Sequence, residues 1–284
     1  MKNSLDDDFL FCENIIKQNS HSFHTAFSLL EKKEAQAVYA VYAFCRKADD
    51  IVDKNEGGYS LKKFEDELKS FEKGKYIDSP LWRALRSVFE RYELSIQPFY
   101  DMLSGQRMDQ NFCVFTTQEQ LENYCYLVAG TVGMMLAPII AVKNHKIIAP
   151  FAAELGKAMQ ITNILRDIGE DFAMKRVYLP IKVMKMFRYS MDDLSKSTIN
   201  RNFKNLWEYE AKIAKNYYDR FLSAVEYLDE KSIKPVLTSA LLYQKILDKV
   251  RENGYDCFGS RNYVTQDEKK IIISSISLRE ERRV

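Results

Sequence analysis

Apolar positions recur along this chain with the spacing of helices. The run "AQAVYAVYAFC" (Ala35 to Cys45) is apolar on nearly every face of a helix, which predicts a buried one. It leads into "RKADDIVD" (Arg46 to Asp53), where Asp49 and Asp53 stand four apart and so share a face. The downstream stretch "MQITNILRDIGEDF" (Met159 to Phe172) predicts the same device, with Asn163, Asp167 and Asp171 at i, i+4 and i+8 on one helix. In "NYCYLVAGTVGMM", Tyr124, Val128 and Val132 share a face, and Gly130 and Gly133 leave room for a neighbour or a ligand. The uncharged run "LVAGTVGMMLAPIIAV" (Leu127 to Val142) is 16 residues long, short of the ~20 needed to cross a bilayer, and reads as a buried helix. Strand-like alternation is absent apart from "RVYLP" (Arg176 to Pro180), which reads as an extended connection. The six prolines fall mostly between periodic segments, as helix boundaries. No linker, low-complexity tract or internal repeat interrupts the pattern, which predicts one all-α domain over residues 1–284.

Composition agrees with long helices, since ten glycines and six prolines in 284 residues are few for a turn-rich chain. With 42 basic and 40 acidic side chains, the net charge of +2 gives no footprint for nucleic acid. The five cysteines contain no C-x-x-C pair and the three histidines form no ligand cluster, which argues against zinc. The start "MKNSLDDDF" lacks the regions of a signal peptide, so the expectation is a cytoplasmic protein with free thiols. Any membrane contact is expected to be peripheral, at the inner face.

Two aspartates four apart on a helix repel by a few tenths of a kcal/mol, and a cation compensates them. Mg²⁺ takes oxygen ligands and is often held by one or two carboxylates plus the phosphates of a substrate. Acidic faces on two separate helices can meet across a bundle core. A substrate with a diphosphate head and a long hydrocarbon tail suits such a place, the head completing the metal's coordination and the tail filling a channel. Val128 and Val132 are candidates for the channel wall, although stripes at this spacing also describe ordinary core packing.

Five stretches in order give the chain a family likeness over nearly its whole length: "NSHSF" (Asn19 to Phe23), "CRKADDIVD" (Cys45 to Asp53), "YCYLVAGTVG" (Tyr124 to Gly133), "NILRDIGEDF" (Asn163 to Phe172) followed by "RVYLP", and "YDCFGSR" (Tyr255 to Arg261). It resembles the squalene/phytoene synthase family, most closely its short bacterial dehydrosqualene synthases. The resemblance implies a single-domain isoprenoid synthase bundle around a central apolar cavity. It implies that Asp49 and Asp53, with Asp50 alongside, form one metal motif and that Asn163, Asp167 and Asp171 form the other, holding two or three Mg²⁺ ions with the substrate diphosphate. Arg46 and Arg166 match positions near the diphosphates, where a guanidinium offers paired hydrogen bonds. Gln160 and Tyr124 match polar cavity positions. Ser20 and Ser22 match a serine pair at the phosphate end, Tyr243 and Arg261 match residues that close it, and Asp109 is a further candidate near the metals. Phe27 and Tyr39 fall where the closed end of the tunnel is expected.

Two departures from the family pattern concern phosphate contacts. His21 stands between the serines where Lys or Arg is common, and Ser260 stands where a second Arg is usual. The reaction implied is Mg²⁺-dependent head-to-head coupling of two farnesyl diphosphates through a cyclopropylcarbinyl diphosphate to dehydrosqualene, a carotenoid precursor. Geranylgeranyl diphosphate as substrate, giving phytoene, is the alternative chain length, with bulky Phe27 and Tyr39 favouring the shorter chain. Reduction by NADPH would give squalene instead, but the glycines of "GTVG" lie inside a helical pattern, not in a dinucleotide-binding turn, so no nicotinamide cofactor is expected. A terpene cyclase would act on one diphosphate and usually places Ser and Glu in the second motif. A non-catalytic assembly protein on this fold should have lost the carboxylates that are all present here.

Overall fold

A computed structural model describes residues 4–53, 60–259 and 261–281, and among these residues there are helices and no strand. The first part of the chain forms α1 (Leu5–Asn19), α2 (His21–Phe27), α3 (Lys32–Asp53), α4 (Leu61–Glu72), α5 (Pro80–Arg91) and α6 (Gln97–Gln110). Next, α7 (Gln118–Cys125) runs through one π-helical turn (Tyr126–Gly130) into α8 (Thr131–Ile140), followed by α9 (His145–Arg166) and α10 (Ile168–Ala173). The last part comprises α11 (Ile181–Met186), α12 (Met191–Ser195), α13 (Arg201–Leu222), α14 (Glu230–Glu252) and α15 (Gln266–Glu281).

Local chemistry starts these helices where they start. The acidic opening of the chain is a capping box: the Ser4 hydroxyl accepts from the Asp7 N–H while the Asp7 carboxylate accepts from Ser4, and Asp6, Asp7 and Asp8 suit the positive end of α1. Thr117 with Gln120 and Ser190 with Asp193 do the same for α7 and α12. Pro80, Pro98 and Pro180 stand at helix starts, as expected of boundary prolines. Pro138, Pro150 and Pro235 do not: they lie inside α8, α9 and α14, each forgoing one main-chain hydrogen bond in a helix held by tertiary packing.

The apolarity of α3 on all sides has two causes. One side packs Phe44 against Phe64, Trp82 and Phe99, at ring-centroid distances of 4.8, 6.0 and 4.9 Å, in the core shared with α4, α5 and α6. The other side, with Tyr42 and Cys45, faces an internal cavity. The segment Gln118–Ile140 is long and apolar enough to cross a membrane by length and composition, yet half of its most apolar stretch is buried. Much of the remainder, Val128, Ala129, Val132, Gly133 and Leu136, lines the same cavity. Between this segment and α9 the backbones touch: a Cβ on Gly133 would collide with the Ala152 carbonyl, and one on Gly156 with the Ala129 carbonyl.

Behind the cavity wall, α7, α9 and α13 bury a polar cluster. Glu210 is 1 % exposed, accepts from Gln118 at 3.0 Å, and has its second oxygen without a partner. Burial pushes its carboxyl up to about 7, with Gln118 opposing and the negative Glu122 reinforcing. Native protein therefore holds this proton between about pH 4.5 and 7, where the unfolded chain has lost it, so the cost to stability grows over that window and is complete above it. At 1.4 kcal/mol per unit the cost reaches about 3 kcal/mol. Glu210→Gln removes it. Urea unfolding should find the variant level with wild type near pH 5 and more stable by up to about 3 kcal/mol at pH 8; equal differences at both pH values would contradict a proton on Glu210.

Candidate active site

The cavity lies between α2, α3, α6, the α7–α8 segment, α9, α13 and α14, with about 1140 Å³ of empty volume including its open mouth. Its walls are apolar, from Phe27, Val128, Val132, Leu136, Ile140, Phe221 and Val236. Polar groups also line it: Arg46 and Asp49 of α3, Gln106 and Asp109 of α6, Tyr124 of α7, Gln160 and Asn163 of α9, and Tyr243 of α14. Helix phase places them. On α3, Tyr42, Cys45, Arg46 and Asp49 fall at i, i+3, i+4 and i+7, one face that turns from apolar to charged over two turns.

Arginines are paired with four of the aspartates in the two acidic motifs. Arg46 contacts Asp49 at 2.9 Å and Asp50 at 2.5 Å. Asp53 pairs with Arg176 at 2.9 Å. Asp167 is gripped by both arms of Arg166, one at 2.7 Å, and the exposed Arg261 stands 3.9 Å from it. The second motif is not one continuous helix, as its spacing predicted. Asp167 ends α9 and caps α10 with φ −108° and ψ 19°, so Asp171 sits on a separate short helix, in a small pocket with Arg176 and Tyr178 instead of in the main cavity.

Electrostatics leave these groups short of positive charge. Burial lifts the Asp49 carboxyl to about 6, against the pull of Arg46 and with the push of Asp53. Burial and the neighbouring Asp167 and Glu170 lift Asp171 to about 8. The Oδ1 of Asn163 is buried without a hydrogen-bond partner. Among the described residues no three His, Cys, Asp or Glu side chains gather closely enough to hold an ion alone. The donors Asp49, Asp53, Asn163, Asp167 and Asp171 are all oxygens on groups that a cation would relieve. They suit Mg²⁺ completed by the oxygens of a bound ligand better than an all-protein cage.

Asp109 accepts hydrogen bonds from the hydroxyls of Tyr124 and Tyr178, each at 2.8 Å, and its own carboxyl is raised, chiefly by burial. Tyr178 was not singled out by the sequence, and neither was Arg176: both lie in the extended connection, where no periodicity marks a side chain that reaches another helix. At the other side, Phe23 stacks on Tyr243 at 4.9 Å and on Phe27 at 5.8 Å. Ser20 caps α2 and neighbours the Tyr243 hydroxyl, while half-buried Ser22 and exposed His21 lie outside the cavity lining. Ser260 lies outside the described residues. Tyr39 corrects an expectation: one helical turn beyond Tyr42, it does not line the cavity but stacks on His24 at 5.9 Å.

The squalene/phytoene synthase family profile matches residues 16–268. A phytoene synthase from Arthrospira platensis is 32% identical, over 96% of this chain and 93% of the relative. A 4,4'-diapophytoene synthase from Staphylococcus haemolyticus is also 32% identical, over 96% and 97%. Among solved structures, a dehydrosqualene synthase crystallised with a ligand superposes with a TM-score of 0.94 at 40% identity, covering 98% of both chains. The matched profile spans every stretch that builds the cavity, from the end of α1 into α15, and the chain belongs to the squalene/phytoene synthase family of prenyltransferase-type isoprenoid synthases.

Proposed function

We propose that the protein couples two farnesyl diphosphates head to head, in a Mg²⁺-dependent reaction, and releases dehydrosqualene. The observation that carries this reading is the single cavity whose apolar walls run up to Asp49, Asp109 and Asn163, with the arginines of both acidic motifs beside it. Asp49, Asp53, Asn163, Asp167 and Asp171 would hold Mg²⁺, which supplies Lewis-acid charge at a leaving diphosphate. Arg46 and Arg166 offer guanidinium donors to the phosphate oxygens, and burial strengthens those contacts. When the first C–O bond breaks, the allylic cation is left among the rings of Phe23, Phe27, Tyr42 and Tyr243, whose faces favour positive charge. The double bond of the second substrate attacks it, one proton leaves, and a cyclopropylcarbinyl diphosphate forms. Loss of its diphosphate and rearrangement in the water-excluding cavity give the C30 cation.

The reaction then ends by loss of a second proton, forming a conjugated triene. A carbocation is so acidic that a weak base suffices, and released diphosphate at the polar mouth is one. Across the whole reaction two prenyl diphosphates give one triene, two diphosphates and two protons, with no reductant. On this reading the protein would work in the cytoplasm or on the inner face of a membrane that takes up the hydrocarbon.

The cavity's aromatic filling supports the shorter chain. Phe27 is 5 % exposed and lines the cavity, whereas Tyr39 lies outside it. Phe27→Ala should open room for a longer tail and raise C40 product relative to C30 when C15 and C20 diphosphates compete, at a stability cost of about 3–5 kcal/mol. Tyr39→Ala should leave the product ratio unchanged. Wild type given both substrates should make mainly C30 hydrocarbon; a mainly C40 product would overturn the farnesyl assignment.

A further inference from the structure

The connection between α10 and α11 ties together three acidic residues from three helices, Asp53 and Asp109 by their carboxylates and Asp171 by its main chain. The Arg176 N–H donates to the Asp171 carbonyl at 2.9 Å, its guanidinium pairs with Asp53 of α3 at 2.9 Å, and the Tyr178 hydroxyl donates to Asp109 of α6 at 2.8 Å. Lys175, with φ 62°, makes the left-handed turn that sends the strap back toward α3. The Arg176 side chain is only 16 % exposed, and its charge acts on Asp109 and Asp171 as well as on Asp53. Arg46 and Arg166 act locally, Arg46 on Asp49 and Asp50 within one turn and Arg166 on the adjacent Asp167, while the exposed Arg261 stands 3.9 Å from Asp167. Arg176 reaches a carboxylate 123 positions away in the chain.

We propose that Arg176 is an internal counterion for the first acidic motif, holding Asp53 in an ion pair that a metal ion must displace, so that metal binds tightly only together with a diphosphate. This rests on the reading of the acidic faces as Mg²⁺ sites. A lone divalent cation gains Asp53 by stranding a half-buried guanidinium without its partner, which is costly. A diphosphate brings oxygens for the metal and an anion for the freed guanidinium, and removes that cost. By linkage, metal and diphosphate then raise one another's affinity by a common factor.

The test is a titration of the protein with Mn²⁺, free ion being read by electron paramagnetic resonance, with and without inorganic pyrophosphate and corrected for complexes formed in solution. In wild type, pyrophosphate should tighten Mn²⁺ binding at least tenfold, within the usual range of coupling between sites. In Arg176→Gln, Mn²⁺ alone should bind several-fold tighter and the effect of pyrophosphate should shrink by the same factor. Arg176→Lys, which keeps the charge, should return toward wild type. A residue with a merely structural role would weaken metal binding when removed. Mn²⁺ affinity unchanged or weaker in folded Arg176→Gln, or wild-type coupling below twofold, which needs no variant, overturns the proposal. No Mn²⁺ binding even with pyrophosphate overturns the metal reading along with it.

Discussion

Asp49→Asn and Asp167→Asn should each lower turnover by about a thousandfold. Each removes a full negative charge from a proposed ligand of the ion that neutralises the leaving diphosphate, and about 4 kcal/mol of barrier corresponds to three decades in rate. Their stabilities should differ. Asp49 is raised by burial and pushed by Asp53, so the neutral amide relieves repulsion and the thermal midpoint should hold or rise. Asp167 holds Arg166, whose side chain is 12 % exposed, by two hydrogen bonds; Asn keeps one acceptor, and a loss of about 1.5–3 kcal/mol is expected. Steady-state turnover of farnesyl diphosphate and thermal unfolding of both variants check this. Activity within tenfold of wild type in either variant contradicts the site.

Gly156→Ala should, with Gly133→Ala, be among the most damaging of small substitutions in the cavity wall. The added carbon meets the carbonyl of Ala129, main chain against main chain, and neither side has a rotamer to swing away. To admit it, α9 must separate from the π-helical turn, and Ala129, Gly133 and Ala152 of the same wall move with them. Overpacking of this kind costs typically 1–3 kcal/mol and more where backbone is struck, so a loss above about 3 kcal/mol is expected. For a chain of this size that lowers the melting temperature by roughly 6–12 °C. Calorimetry showing a shift under about 2 °C would mean that the two segments part easily.

Much of this arrangement was legible in the sequence because it rests on helical phase. The face Tyr42, Cys45, Arg46 and Asp49 follows from 3.6 residues per turn, and so does the approach of Val128 and Val132 to the same cavity. Where phase carries no information, the sequence was silent or misleading. The i, i+4, i+8 pattern of Asn163, Asp167 and Asp171 ran across a break that only the backbone angles of Asp167 reveal. Pro138, Pro150 and Pro235 sit inside helices because tertiary packing outweighs one lost hydrogen bond. Tyr39 has nearly the right phase but lies one turn too far along α3, beyond the end of the cavity. Arg176 and Tyr178 reach Asp53 and Asp109 across more than 65 intervening residues, a relation set by topology and by no local pattern.

The measurement that tests the account most directly is the identity of the hydrocarbon made from farnesyl diphosphate and Mg²⁺, with and without excess NADPH, by ultraviolet absorbance and mass. The proposed mechanism ends in proton loss, so the product should be the same C30 conjugated triene in both conditions, and none should form when Mg²⁺ is chelated. Squalene, two hydrogens heavier and lacking the triene chromophore, appearing when NADPH is supplied would contradict it.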